Sequence, residues 1–276
     1  MNLVLQGPGA GAAQAAEAAR LSGARDIEQI AAGAFRLHAA EKNAAVIEWC
    51  HEQKLDCAFV PEGRRFADLK LLAMDMDSTL ITIECIDELG DLAGKKAEIA
   101  ALTARAMRGE IDYARSLQAR VALLAGLGID ALQRVYDGRL RLSPGAEALI
   151  DACKTHGVKL LLVSGGFTFF TERLKQRLGI DSTISNQLEM KEAKLTGGLL
   201  GGIVDAAAKA ARFREVAHAL GAAREQTVAV GDGANDLPML AEAGVSVAYR
   251  AKPVVKAKAS CALDFSGLDG VIHLFE

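Results

Sequence analysis

Residues 71–80, Leu-Leu-Ala-Met-Asp-Met-Asp-Ser-Thr-Leu, constrain the fold more than any other stretch of the chain. A short apolar run ends abruptly in two aspartates, Asp75 and Asp77, two positions apart. The run is too short for a buried helix and is bounded by polar residues, so it reads as a fully buried strand. In an open α/β sheet, ligands bind at the carboxyl ends of such strands. Carboxylates placed there tolerate partial burial only when they are paired, hydrogen-bonded or metal-bound. Their all-oxygen chemistry suits a hard divalent cation such as magnesium.

The rest of the chain supports an α/β reading. Val158–Val163 and Thr227–Val230 are two further buried strands, ending in Ser164-Gly165-Gly166 and in Gly231-Asp232-Gly233-Ala234-Asn235-Asp236. Parallel strands alternating with helices would bring all three polar loops to one sheet edge. Between the first strand and the others, Glu84–Leu140 reads as four amphipathic helices, each stopped by a glycine. An insertion of this kind predicts a cap over the site. Ser143-Pro144 reads as the start of the next helix, with Ser143 as N-cap. Thr183–Val204 reads as strands with a glycine-rich hairpin around Thr196–Gly202, and Ala206–Leu220 as a helix that carries Lys209 near its start.

Upstream, short strand and helix signals alternate to about Phe66, and Gly63-Arg64-Arg65 reads as a linker. The expected organisation is a small N-terminal α+β domain over residues 1–66 and a catalytic domain over 67–276, with the cap at about 84–140. Gly7–Ala12 formally matches a dinucleotide fingerprint, but the segment is too short for a dinucleotide-binding half. A glycine-rich turn is the plainer reading.

Composition narrows the function classes. With 276 residues the chain can bury a large core, and its formal charge of −3 argues against a nucleic-acid or membrane-surface binder. No apolar run approaches the ~20 residues of a membrane span, and no signal-type segment opens the chain, so a cytoplasmic location is expected. The five cysteines are scattered, as free thiols in a reducing compartment would be, and the five histidines do not cluster.

Taken together, Asp75-Met76-Asp77-Ser78-Thr79, Ser164-Gly165, Lys209 and Gly231–Asp236 resemble the four motifs of the haloacid dehalogenase-like phosphatases, over roughly residues 69–276. Glu84, the Arg115–Val121 segment and Val163–Phe167 are similar to those of the members that hydrolyse O-phospho-L-serine. The resemblance implies a Rossmann-like, mainly parallel sheet with a helical cap. It also implies a reduced or diverged N-terminal domain of the amino-acid-binding ACT type.

For the chemistry, the resemblance implies Asp75 as the nucleophile that forms an aspartyl phosphate and Asp77 as general acid/base. Mg2+ would be held by Asp75, the backbone carbonyl of Asp77 and Asp232, with Asp236 supporting the metal's water shell or Lys209. Lys209, Asn235 and, at a helix start, the Ser164 hydroxyl and Gly165 amide would contact the phosphate or substrate. Glu84 would take the substrate ammonium and Arg120 its carboxylate. Taken singly, Glu84 also suits a helix start and Arg120 a solvated helix face. Met107 and Tyr113 suit either a water-excluding wall or core packing.

The expected partner is therefore O-phosphoserine, on a serine-biosynthetic step, with neither nucleic acid nor membrane involved; a homodimer is compatible with the resemblance. Two rivals stand beside this reading: a phosphatase or phosphotransferase for another small phosphate ester, and an amino-acid sensor with a vestigial phosphatase site. A true dehalogenase has no use for the second aspartate.

Overall fold

The computed structural model describes all of residues 1–276. Residues 2–60 run β1 (Asn2–Gln6), α1 (Ala12–Ser22), β2 (Asp26–Ala31), β3 (Ala34–His38), α2 (Ala44–Glu52) and β4 (Asp56–Val60). Their four strands form one fully antiparallel sheet in the order β2-β3-β1-β4, a ferredoxin-like arrangement. Leu3, Leu5, Phe35 and Leu37 project from its inner face onto Ala15, Ala18, Val46 and Cys50 of the two helices, which builds a separate small core. Gly7–Gly11 forms the turn into α1, with the Gly7 amide bonded to the Gly33 carbonyl.

The larger body begins with β5 (Leu71–Met74). The cap helices follow: α3 (Cys85–Leu92), α4 (Lys96–Met107), α5 (Tyr113–Ala122) and α6 (Ile129–Gly138). Next come α7 (Ala146–Thr155), β6 (Lys159–Phe167), α8 (Thr168–Leu178), β7 (Ser182–Lys191), β8 (Lys194–Leu200) and α9 (Ala206–Ala219). The chain ends with β9 (Thr227–Gly231), α10 (Leu237–Glu242), β10 (Val245–Tyr249), α11 (Pro253–Lys256), β11 (Cys261–Leu263) and a 3-10 stretch over Leu268–Leu274. The seven strands lie in the order β11-β10-β9-β5-β6-β7-β8, all parallel except the β7–β8 pair.

Period-two alternation explains why these strands look uniformly apolar. Leu72 and Met74 join a core that continues into Leu89, Ile99, Leu117, Val121 and Val135 of the cap. Leu71 and Ala73 face the opposite way, onto Phe213 of α9 and Met239 and Leu240 of α10. With both faces covered, β5 stands at the centre of the sheet, flanked by β6 and β9. The three polar loops therefore emerge side by side.

Three local expectations are corrected. The helix after Ser143-Pro144 begins only at Ala146. Gly145, at φ +75°, is its N-cap, and Ser143 instead donates its amide to the Leu80 carbonyl. The β7–β8 turn is Glu192-Ala193, both at positive φ (51° and 59°), whereas the glycines lie within and after β8. A two-residue turn of this hand matches strand twist, and pairing of the long flanking strands overrides the usual preference for Asn-Gly. Finally, Ser164–Gly166 do not open α8. They continue β6 in extended form, and pairing to β7 is interrupted between Val163 and Phe167.

Candidate active site

Asp75 follows the last residue of β5. Its backbone is extended, and its carboxylate accepts the Met76 amide at 2.7 Å. The chain then makes a tight turn through Ser78, which sits in the left-handed region at φ +57°. That turn points the Ser78 hydroxyl at Glu84, 2.8 Å away, and brings the Asp77 carboxylate to the Cys85 amide at the start of α3, 2.9 Å away. The aspartate loop and the first cap helix thus hold each other. Gly166 completes the fit, because a Cβ there would fall 2.5 Å from the Asp77 carboxylate; the bare backbone of β6 can approach where no side chain could.

Lys209 lies in the first turn of α9, whose N-cap Asp205 accepts the Ala208 amide. Its side chain is only 1% exposed, and its ammonium lies 2.9 Å from Asp75 and 2.8 Å from Asp236. Burial alone would lower the Lys209 pKa, but the Asp236 and Asp75 charges outweigh it and hold the pKa above the ordinary lysine value. Asp236 is saturated: Oδ1 takes Lys209 and Oδ2 takes the Gly233 amide at 3.0 Å.

Asp232, at the end of β9, receives only a long contact from the Thr79 hydroxyl, at 3.5 Å. Carboxylate oxygens of Asp75, Asp232 and Asp236 all lie within 4.8 Å of one another. Three carboxylates around one ammonium leave unbalanced negative charge in a dry place, which a divalent cation would cancel. The residues present therefore fit a divalent metal. The electrostatics agree: burial and then the Asp236 charge raise Asp75 well above the usual carboxylate range, and the same two causes push Asp232 up to about 6. Burial and the nearby Glu84 charge push Asp77 up to about 7.

These groups open onto a cavity of about 750 Å³ between the sheet edge and the cap. Glu84, Arg120, Gly165 and Asn235 all line it with Asp75, Asp77 and Asp232. Ser164 is fully buried beneath, its hydroxyl accepting the Gly166 amide at 2.8 Å. Of the residues singled out from the sequence, Asp75, Asp77, Glu84, Arg120, Gly165, Asp232 and Asn235 line the cavity, and Ser164, Lys209 and Asp236 are buried behind it. Met107 also lines the cavity and is 67% exposed, so it is not core packing. Tyr113 does both: it packs partly against the main core, and its hydroxyl reaches the Gly165 carbonyl at 3.4 Å. Burial pushes its pKa up to about 12, so the hydroxyl stays protonated. Cys85 is buried in that core, where burial and then Asp77 raise its pKa well above the ordinary thiol value.

Sequence reasoning missed Asn186. Buried in β7, it donates to the Gly165 carbonyl at 2.8 Å and accepts the Val204 amide at 2.8 Å, tying the Ser164–Gly166 segment to the approach to α9. A single asparagine in a half-polar strand carries no signal for this. Thr79 and Ser78 lie in the recognised motif, but the sequence alone assigns them no contacts.

Four carboxylates at the carboxyl ends of parallel strands and a buried lysine from α9, under a helical cap, define a phosphoryl-transfer site whose acidic groups fit a divalent cation. A family model for haloacid dehalogenase-like hydrolases matches residues 72–241, and a model for a domain of unknown function (DUF4072) matches residues 3–46. The phosphoserine phosphatase of Polaromonas sp. strain JS666 is 54% identical over 215 residues, 76% of this chain and 91% of that protein. The crystal structure of a probable phosphoserine phosphatase from Vibrio cholerae, in unliganded form, matches with a TM-score of 0.87 at 37% identity, over 99% of this chain and 85% of that one. A phospho-aspartyl intermediate analogue of phosphoserine phosphatase matches with a TM-score of 0.71 at 36% identity, over 75% of this chain and 99% of that one. The chain belongs to the haloacid dehalogenase-like hydrolases and, within them, to the phosphoserine phosphatase family.

Proposed function

We propose that this chain hydrolyses O-phospho-L-serine to L-serine and phosphate through an aspartyl phosphate on Asp75. The observation that carries the reading is the convergence of Asp75, Asp77 and Asp232 from separate segments onto one cavity that Glu84 and Arg120 also line, with Lys209 buried against Asp75 behind it. Asp75, the Asp77 carbonyl and Asp232 would hold magnesium, which would supply the charge cancellation a carboxylate needs to approach a phosphate dianion.

Lys209 holds Asp75 in line and adds a second positive charge beside the transferring group. The Ser164 hydroxyl and Gly165 amide fix phosphate oxygens, Asn235 contacts the substrate, and Asp236 keeps Lys209 in place. The Asp75 oxygen bonds to phosphorus while the seryl oxygen leaves with a proton from Asp77. A pKa of about 7 suits Asp77 to hold that proton at neutral pH. Asp77 then takes a proton from the water that attacks phosphorus, which frees Asp75 and phosphate. Glu84 receives the substrate ammonium and Arg120 its carboxylate, which selects an amino-acid ester. The working units on this reading are residues 1–66 and 67–276, with a cap over about 84–140.

Phosphate release from phosphoserine, phosphothreonine and sugar phosphates, each with chelator or magnesium, tests the proposal. Phosphoserine with magnesium is expected to be the best case, and Asp75→Asn to abolish turnover. A sugar phosphate preferred over phosphoserine, or an active Asp75→Asn enzyme, would overturn it.

A further inference from the structure

Six carboxylates line the catalytic cavity, at Asp75, Asp77, Glu84, Asp87, Asp205 and Asp232, against two cations, Arg120 and Lys252. Lys209 is buried and paired with Asp75 and Asp236 behind the wall, so it adds no free cation at the cavity entrance. A phosphorylated amino acid carries a net negative charge, and even with a divalent cation offsetting two of these carboxylates the cavity wall stays more acidic than basic. Arg120 sits on α5 in the cap, where its Nε reaches the Ser116 carbonyl. Lys252 belongs to no recognised motif and is the cation on the sheet side.

Its backbone is held firmly. The Lys252 amide donates to the Asp232 carbonyl at 3.1 Å, and its carbonyl accepts the Val255 and Lys256 amides as it caps α11. The side chain, by contrast, is exposed and held by no ion pair, unlike those of Lys209 and Lys256. It lines the cavity together with Glu84 and Asp232, and its positive charge favours the ionised form of both. A hydrogen-bonded backbone and an unpaired ammonium, on a cavity wall that also carries Glu84 and Asp232, suit an approaching anion better than they suit fold stability.

We infer that Lys252 is a substrate-positioning residue: its ammonium offsets Glu84 and Asp232 at the cavity wall and draws the phosphate of the incoming ester past them toward Asp75. The inference rests on the phosphoserine reading above. It assigns Lys252 to capture rather than to the chemical step, because the aspartyl-phosphate chemistry lies with Asp75, Asp77 and Lys209.

The test compares wild type, Lys252→Met and Lys252→Arg in steady-state phosphate release from phosphoserine, at low salt and at about 0.5 M salt. Lys252→Met is expected to raise KM about tenfold at low salt with kcat within about threefold, and Lys252→Arg to restore KM. The gap between Met and wild type should shrink at high salt, where charges beyond ~4 Å are screened. Thermal melts identify a variant that fails to fold; in that case Lys252→Gln takes the place of Met. An unchanged KM, a loss confined to kcat, or a KM gap indifferent to salt would overturn the inference while leaving phosphoserine hydrolysis intact. A wild type that releases no phosphate from phosphoserine would instead sink the functional reading itself.

Discussion

Asp75, Asp77 and Asp232 each hold a proton more tightly in the fold than an unfolded chain would, with Asp77 at about 7 and Asp232 at about 6 against an ordinary 3.8. Each cause begins with burial, so the native state resists these charges. The penalty is absent below about pH 4, where both states are protonated. It grows as pH rises from the unfolded value toward the folded ones, where the fold still holds protons the unfolded chain has released, and levels off above them. The metal-free protein should therefore lose stability from pH 5 to 7.5. A divalent cation held by deprotonated Asp75 and Asp232 would remove their share of the penalty. Thermal melts should show saturating magnesium raising Tm by on the order of 5 °C at pH 7.5 and by much less at pH 5. An equal shift at both pH values would contradict a metal site built on these groups.

At the scale of elements, the cap stays in register with the sheet partly through β8. Gly197 sits in that strand at φ +88°, and a Cβ there would lie 3.1 Å from the Ala125 side chain and 3.2 Å from the Ala122 backbone at the end of α5. Gly197→Val should cost about 2–3 kcal/mol, both through the forbidden φ and by prising α5, with Arg120, off the sheet. The measurement is a melt paired with KM for phosphoserine; an unaltered Tm would show the contact to be slack. The same strand marks where the sequence stops being readable. The catalytic loops were legible because buried parallel strands have no reason to end in Asp-x-Asp or Gly-Asp-Gly except to hold a ligand. Glycines mislead in β8, where they serve close packing, while the actual turn uses Glu192 and Ala193. The extended Ser164–Gly166 segment was equally hidden, since what holds it straight is Asn186, a residue from a neighbouring strand.

Across the whole molecule, the small domain is joined to the catalytic body by buried polar side chains that read from sequence as ordinary surface residues. Arg36 of β3, 5% exposed, donates to the carbonyls of His273 at 3.2 Å and Phe275 at 2.5 Å. Gln6 of β1 binds the Gly270 carbonyl and the His273 ring. Asp56, at the start of β4, accepts the amides of Asp264 at 2.7 Å and Ser266 at 2.8 Å, with Phe265 between them. Side chains of one sheet thus saturate the backbone of the C-terminal segment of the other body, and that segment leads back through β11 and β10 to Lys252 and Asp232. The two bodies should therefore unfold together in one transition. Removing the carboxylate leaves several buried N–H groups unpaired, each worth about 1–3 kcal/mol. Asp56→Ala is expected to lower Tm by on the order of 10 °C, and Asp56→Asn, which keeps one acceptor oxygen, by less. Calorimetry decides between coupled and independent units. If Asp56→Ala merely splits off a second, low-temperature transition while the main one stays put, the small domain is an appendage rather than part of one cooperative structure.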